Sequence, residues 1–298
     1  MSLNVSALAD FTNETAGKII PKMVFEGLTT SILPIQEGIK HIEPLQIFDV
    51  DLQIQSANCT STMSGSLVAT QRDITVTPRV SYDGLCLDDL NVKSLGISSL
   101  DKGSYNETFK LAGIYTDLLV NQFQKANDEF LWNATDGLGL LTSGSTAGVV
   151  IPNEATGSVS ASTILGIMDV MIENIHEDVA DRDDLTIWMS VANFRKVITA
   201  LRSANNFHYD PSAVSNRTGL FQMVYPFQNV KVVGTRGVIG DRIVLMPDAY
   251  TVIGVDAIDD AEKFSLWYDI DTDKLKHRIK TKLGVQVAFP EYIVSNGL

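Results

Sequence analysis

The sequence predicts an α+β fold, and three features of its 298 residues support that prediction. A long amphipathic helix is predicted over residues 104–135, strands with a two-residue period lie towards both ends of the chain, and a strand–helix–strand stretch lies in the middle. Because long β segments flank this middle stretch, the pattern favours an insertion into a β framework over a repeating βαβ fold.

Composition limits the kind of protein that this chain can be. With 45% hydrophobic and 20% charged residues, it can bury a sizeable core as one large or two ordinary domains. A net charge of −13 argues against general binding to nucleic acid or anionic membranes, because phosphate contacts need clustered lysine and arginine. Cys59 and Cys86 are too few for a disulfide scaffold and lack the paired spacing of a zinc site. No leader-like segment or membrane-length apolar run occurs, so we expect a protein kept in the cytoplasm.

The first 80 or so residues predict an arm followed by a β-hairpin. Residues 1–46 are expected to be extended, because prolines interrupt them at Pro21, Pro34 and Pro44. From residue 47 apolar and polar residues alternate, residues 58–65 read as a turn-rich tip, and residues 66–80 read as the returning strand. A long hairpin of this kind is marginal alone and needs a surface to lie on.

The long helix has one apolar stripe and one polar face. The stripe steps by three or four residues through Tyr105, Phe109, Ala112, Tyr115, Leu119, Phe123, Ala126 and Phe130. The polar face is predicted to carry Glu107, Lys110, Asp117, Asn121, Lys125 and Asp128. Ser104 with Glu107 forms a capping box that marks the start, and Gly137 marks the stop. The helix would be roughly 45 Å long, which predicts a spine beneath a sheet.

The remainder of the chain alternates helices and strands and then becomes purely β. Ser162 is predicted to cap a second helix that runs to an acidic turn at residues 181–184, and Ser190 a third helix after a buried strand at residues 185–189. Further strands are predicted at residues 230–233, 243–246, 250–255, 264–270 and 274–289.

No catalytic, cofactor or metal residues are predicted. Asp269, Asp271 and Asp273 resemble the start of a calcium loop, but Lys274 stands where glycine is required and Lys280 where the bidentate glutamate belongs. The four histidines lack metal-binding spacing: His41, His176, His208 and His277. His176 precedes two acids on the polar face of a helix, where a solvated side chain is expected rather than a catalytic cluster.

The last long strand carries charges on one face only. Its apolar face is predicted to present Leu275, His277, Ile279, Thr281 and Leu283. Its other face is predicted to present Lys274, Lys276, Arg278, Lys280 and Lys282. Two interpretations stay open. The strand is either a solvated edge strand whose cations block the addition of another strand, or it makes an electrostatic contact with an acidic face of another subunit.

Five stretches follow one another along the predicted elements: NCTSTMSGSLVATQRDITVTP, GLCLDDL, TIWMSVANFRKVITALRSANN, NVKVVGTRGVIGDRIVLMP and KTKLGVQVAFPEYIV. In these stretches and in the order of its elements, the chain resembles the major capsid proteins of tailed bacteriophages, of the Hong Kong 97 type. The resemblance implies an N-terminal arm, an extended loop, a peripheral domain with the spine helix, and an axial α/β domain. The implied ranges are 1–46 for the arm, 47–82 for the loop, 83–136 with 256–284 for the peripheral domain, and 137–255 with 285–298 for the axial domain.

The resemblance also implies a function. A protein of this type is no enzyme; it self-assembles through hexamers and pentamers into an icosahedral shell around double-stranded DNA, without sequence-specific binding and without a membrane. We expect assembly in the host bacterial cytoplasm, a place in the virion capsid, and scaffolding, portal and decoration proteins as partners. Since no scaffolding segment precedes the arm, we expect scaffolding in trans or none. An encapsulin-like compartment shell and, more distantly, a cytosolic α+β enzyme are the alternatives.

Seven residues are candidates for contacts between subunits on this resemblance. They are the five cations of the last strand together with Cys59 and Arg72 of the predicted hairpin. Some capsids of this family join subunits through an isopeptide bond from a lysine on the extended loop. No lysine occurs between His41 and Val92, so we expect non-covalent contacts or an added decoration protein to hold the shell.

Overall fold

The described parts of the chain form a five-stranded sheet, a six-stranded sheet and a two-stranded hairpin. The structure is a computed structural model. It describes residues 28–52, 65–86, 107–133, 139–140, 149–150, 159–204, 221–225, 230–256, 264–269, 271–272 and 274–296.

The helices and strands have the following bounds. The helices are α1 Leu28–Ile32, α2 Glu107–Asn133, α3 Ile164–Glu173, α4 Glu177–Ala180 and α5 Val191–Ser203, with 3₁₀ turns at Asp248–Tyr250 and Pro290–Tyr292. The strands are β1 Ile35–Gln36, β2 Ile42–Leu52, β3 Gly65–Thr75, β4 Thr77–Cys86, β5 Val149–Val150, β6 Leu185–Ser190, β7 Phe221–Val224, β8 Lys231–Thr235, β9 Ile243–Pro247, β10 Thr251–Val255, β11 Phe264–Asp269, β12 Lys274–Val287 and β13 Val294–Ser295.

Strand β12 is the centre of the five-stranded sheet. Antiparallel β4 pairs along one side of it, from Lys274 opposite Cys86 to Leu283 opposite Thr77. On its other side β12 pairs first with β11 and then with β10, and β10 continues the sheet to the short parallel strand β1. One face of this sheet packs on α2, so the sequence prediction of a spine helix under a sheet is confirmed.

The buried side of α2 differs from the predicted stripe. Ser104 and Gly137 lie outside the described residues, so the predicted caps stay predictions. The most deeply buried positions are Thr116, Val120, Asn127, Asp128, Leu131 and Trp132. Asp128 was expected on the polar face and Ala126 on the apolar stripe, and the structure reverses both. The reason is that the last turns of α2 contact α1 and the β8–β9 turn as well as the sheet, which widens the buried arc.

The hairpin consists of β2 and β3, paired from Ile42 opposite Thr75 to Leu52 opposite Gly65. The prediction of one return strand over residues 66–80 is wrong, because after Val76 the chain leaves the hairpin and continues as β4 in the five-stranded sheet. The described part of the predicted arm has partners in its own chain: Leu33 is 3% exposed in the core, and β1 pairs with β10.

The six-stranded sheet has the order β5-β13-β9-β6-β8-β7 and packs on α3 and α5. Ser190 caps α5 by accepting a hydrogen bond from the Asn193 amide, as predicted. The predicted cap at Ser162 is wrong, since α3 begins after Thr163, which makes no side-chain cap bond. The predicted second helix is also divided, because His176 caps a separate short helix, α4.

Candidate assembly surface

The two faces of β12 separate as the sequence predicted. The five residues of the apolar face are buried against α2 and its neighbours. The five cations lie on the opposite, outer face of the sheet, where they are exposed or half-buried. The edge-strand part of the solvated-edge interpretation is wrong, because β12 has hydrogen-bonded neighbours on both sides; whether the cations stay solvated or contact another subunit remains a prediction.

Two of the five cations are paired within the chain. Lys276 donates to the Asp269 carboxylate, which lowers the pKa of Asp269. Lys282 lies 2.8 Å from an Asp256 carboxylate oxygen and donates to the Lys40 carbonyl at 3.1 Å. These two lysines therefore stabilise the subunit itself. Because each already has a carboxylate partner, each would attract an acidic group of another molecule less strongly.

The other three cations, Lys274, Arg278 and Lys280, are exposed and form no ion pair with any described residue. On β4, Tyr82 lies directly opposite Arg278 and Val80 opposite Lys280. Tyr82 and Val80, two residues apart on the same face of β4, are 59% and 57% exposed and so present apolar surface to solvent. We call Val80, Tyr82, Arg278 and Lys280 the outer patch.

The hairpin covers the other end of the same outer face. Its root packs Ile74 and Val76 over β10 and β12, and Gln286 donates to the Asp73 carbonyl at 2.9 Å. Away from the root its surface is open, since Phe48 and Val68 are 58% and 49% exposed, and at the root Ile42, opposite Thr75, is 53% exposed.

Of the remaining two candidate contacts, the structure places only Arg72, and it lies apart from the cations. Arg72 is half-buried on β3 opposite Leu45, in the hairpin and not in the sheet of β12. Cys59 lies outside the described residues. The structure thus places the five cations of β12 on one surface and does not place Arg72 on it.

One buried carboxyl that the sequence did not reveal connects three parts of the chain. Asp128, on α2, accepts hydrogen bonds from the Thr29 amide at 3.3 Å and hydroxyl, and from the Gly237 amide at 3.0 Å and the Thr235 hydroxyl. Trp132 donates to the Thr29 hydroxyl at 2.9 Å. Burial raises the pKa of Asp128, although these donors act in the opposite direction. This cluster fixes α1 and the β8–β9 turn to α2.

A second buried carboxyl, Asp248, lies at the end of β9. It accepts a hydrogen bond from the Thr186 hydroxyl at 2.7 Å and from the Trp188 indole nitrogen at 3.1 Å. Burial raises its pKa to about 6, and the two hydrogen bonds only partly offset that rise. A single aspartate after a short strand gives no sequence signal that it will be buried.

Among the described residues, neither carboxyl belongs to a group that could hold a metal ion. Within the ranges that the structure describes, no group of three or more histidine, cysteine, aspartate or glutamate side chains could hold a metal ion. A search of the same ranges finds no helix that is long and apolar enough to cross a membrane.

Solved capsid structures share this fold along nearly the whole chain. The satellite phage P4 procapsid matches with 10% identity and a TM-score of 0.58, over 94% of this chain and 90% of that one. The capsid of an empty GTA particle matches with 10% identity and a TM-score of 0.54, over 92% and 89%. A structure of Mycobacterium phage Adephagia matches with 10% identity and a TM-score of 0.52, over 88% and 84%.

At such low identities these matches establish the fold. The chain has the mixed helix and sheet fold of Hong Kong 97-like capsid proteins, as the resemblance in its sequence implied. No protein-family model matches the sequence, and no curated protein matches it.

Proposed function

We propose that this chain is the major shell subunit of a tailed-phage type of capsid and that its role is structural, not enzymatic. Copies assemble through hexamers and pentamers into an icosahedral shell that encloses double-stranded DNA. The fold supports this role.

The fold is the observation that carries the shell proposal, and the outer patch supports it by offering a surface for contact between subunits. Arg278 and Lys280 form no ion pair with any described residue. The net charge of the chain is −13, so a second copy is acidic overall and would attract these two cations. The exposed rings and methyl groups of Tyr82 and Val80 add apolar area that a partner can cover. We therefore assign this patch, extended by Lys274, to a contact with an acidic face of an adjacent copy.

The hairpin supports the same conclusion. A two-stranded hairpin is marginal in water unless it packs on something, and beyond its root the exposed Phe48 and Val68 have no cover. We propose that a neighbouring subunit provides that cover, with Arg72 and Cys59 as candidate contacts on the hairpin.

The net charge also fits the contents and partners of such a shell. An acidic subunit repels phosphate, so enclosed DNA would be held without sequence-specific contacts. Scaffolding, portal and decoration proteins are the further partners that we expect in the host bacterial cytoplasm.

Electron microscopy of the chain, expressed alone and in infected lysate, tests the assembly role. We expect shells, and large DNA-filled particles in lysate. Small shells filled with protein cargo would support an encapsulin-like compartment instead. A sharp, fully folded monomer in sedimentation, with no shells in either preparation, would overturn the proposal.

A charge reversal tests the outer patch itself. In the double variant Arg278→Glu/Lys280→Glu, we expect the circular dichroism of the folded subunit and no shells. Single surface pairs contribute only about 0–1 kcal/mol, but a shell repeats the contact in every subunit. The matched control is Lys125→Glu on the exposed side of α2, which should assemble normally. A normal particle yield from the double variant would remove the patch from the interface and leave the shell proposal standing.

A further inference from the structure

His277 lies on the buried face of β12, where its side chain connects helix α2 to strand β4. Its side chain is 3% exposed, its Nδ1 lies 2.8 Å from the Tyr115 hydroxyl, and its Nε2 lies 3.2 Å from the Ser81 hydroxyl. The Tyr115 and His277 rings meet edge to face with centroids 5.7 Å apart. Both ring nitrogens therefore have a partner, one on the helix and one on the strand.

This arrangement suits the neutral imidazole. A neutral ring has one donor and one acceptor, so it can accept from the tyrosine hydroxyl and donate to the serine. In the protonated ring both nitrogens donate, and the proton of the half-buried Tyr115 hydroxyl then loses His277 as its acceptor. Protonation would thus force the Tyr115 hydroxyl to change from donor to acceptor and would place a charge in a buried position, and both changes weaken the link between α2 and β4.

Several charged and polar groups surround the His277 ring. Asp83 lies opposite His277 on β4 and is exposed, while Arg79 lies four residues before it on the same strand. From β11 the register partner is the apolar Leu266, and from α2 the contacting polar group is Tyr115. Among the described side chains, the carboxylate that a protonated His277 would approach is that of Asp83, on the solvent side.

We propose that His277 is an acid-sensitive joint, which holds α2 on the sheet while the imidazole is neutral and loosens that contact when the imidazole is protonated. Strand β4 also carries Val80 and Tyr82 of the outer patch and continues, through Val76, from the hairpin. Protonation of His277 would therefore loosen the contact between α2 and β4, the strand that carries part of the outer patch and continues from the hairpin. The joint belongs to the subunit and does not depend on the shell proposal.

The sign of the pH dependence follows from the environment of the ring. Burial lowers the pKa of His277 below its usual value of 6.5, and the Asp83 carboxylate partly opposes that effect. A lowered folded-state pKa means that the stabilisation is complete above about pH 6.5 and is lost as the pH falls through the lower value.

Hydrogen exchange of the full chain, read by mass spectrometry, tests the joint. Protection factors corrected for the intrinsic exchange rate are compared for α2 at about pH 7.5 and about pH 5. We expect a loss of α2 protection at the lower pH in the unaltered chain and no such loss in His277→Gln. The matched control His176→Gln, at an exposed histidine, should behave as the unaltered chain does.

A second variant keeps the test decisive if His277→Gln does not fold. In Asp83→Asn the carboxylate that favours the protonated ring is gone, so the midpoint of the protection loss should shift to lower pH. An unchanged midpoint in Asp83→Asn would overturn the proposal. Equal loss in His277→Gln and the unaltered chain, or no loss in the unaltered chain, would also overturn it.

Discussion

Gly254 and Gly284 face each other across β10 and β12, directly beneath the root of the hairpin. A Cβ on Gly284 would lie 2.1 Å from the Thr75 carbonyl oxygen, and one on Gly254 would lie 2.8 Å from Ile74 Cγ2. The absence of side chains at this pair lets the hairpin cross the outer face in contact with the backbone. The position of the hairpin therefore depends on these two glycines of the sheet as well as on the residues of its own strands.

Replacing Gly284 should detach the hairpin root. In Gly284→Ala the new methyl group meets the backbone of Thr75, which cannot rotate away, so we expect destabilisation of roughly 1–3 kcal/mol in urea unfolding. Proteolysis within the hairpin should also become faster. The control is Gly166→Ala in α3, where nothing lies within 4 Å, and it should stabilise by about 0.5–1 kcal/mol. Equal effects of the two substitutions would contradict the packing described here.

Removing the Asp128 carboxyl should cost far more than removing an exposed acid from the same helix. Asp128→Ala removes the acceptor of the Thr29 amide and of the Thr235 hydroxyl in a buried position, and leaves the Gly237 amide with the Thr235 hydroxyl alone, so we expect a loss of roughly 2–4 kcal/mol. Asp117→Ala, at an exposed position of α2, should stay within about 0.5 kcal/mol of the unaltered chain. Denaturant unfolding of both variants measures the difference. A small loss for Asp128→Ala would mean that the cluster does not hold α1 in place.

Asp248 should make stability depend on pH in the opposite sense to His277. Its pKa is raised to about 6, so its contribution is complete below the unfolded value of 3.8 and is lost as the pH rises through about 6. Asp248→Asn should remove this part of the pH profile and unfold at a higher urea concentration than the unaltered chain at about pH 7.5, by on the order of 2 kcal/mol. Asp183→Asn, at an exposed aspartate, is the control. Parallel profiles for Asp248→Asn and the unaltered chain would disagree with a buried carboxyl whose pKa is raised.

The sequence revealed the local patterns of this fold and missed its long-range pairings. The alternation along β12 was predictable because apolar and cationic residues differ sharply and the strand is long. The end of β3 was not predictable, since Ile74 and Val76 continue the two-residue period while the chain changes its pairing partner. The period of a strand does not identify the strand it pairs with.

The same limit applies to the candidate site. The cationic face of β12 was visible in the sequence, but its division into paired and unpaired cations depends on Asp269 and Asp256, which the fold brings close. Burial of Asp128 depends on α1 and the β8–β9 turn, whose positions no periodicity of α2 encodes.

Assembled particles should dissociate into single chains in hot detergent with reductant. An isopeptide bond from the hairpin would need a lysine amine, and the sequence between His41 and Val92 contains no lysine. Arg72 and Arg79 cannot replace it, because a guanidinium stays protonated and does not attack an amide. Cys59 could form a disulfide between subunits only outside a reducing cytoplasm. We therefore expect one band at the chain mass of 32.6 kDa.

The control is the same sample without reductant, in which a dimer band lost in Cys59→Ser would reveal oxidation after lysis. A ladder of multimers that survives boiling with reductant would show covalent joining and refute the prediction.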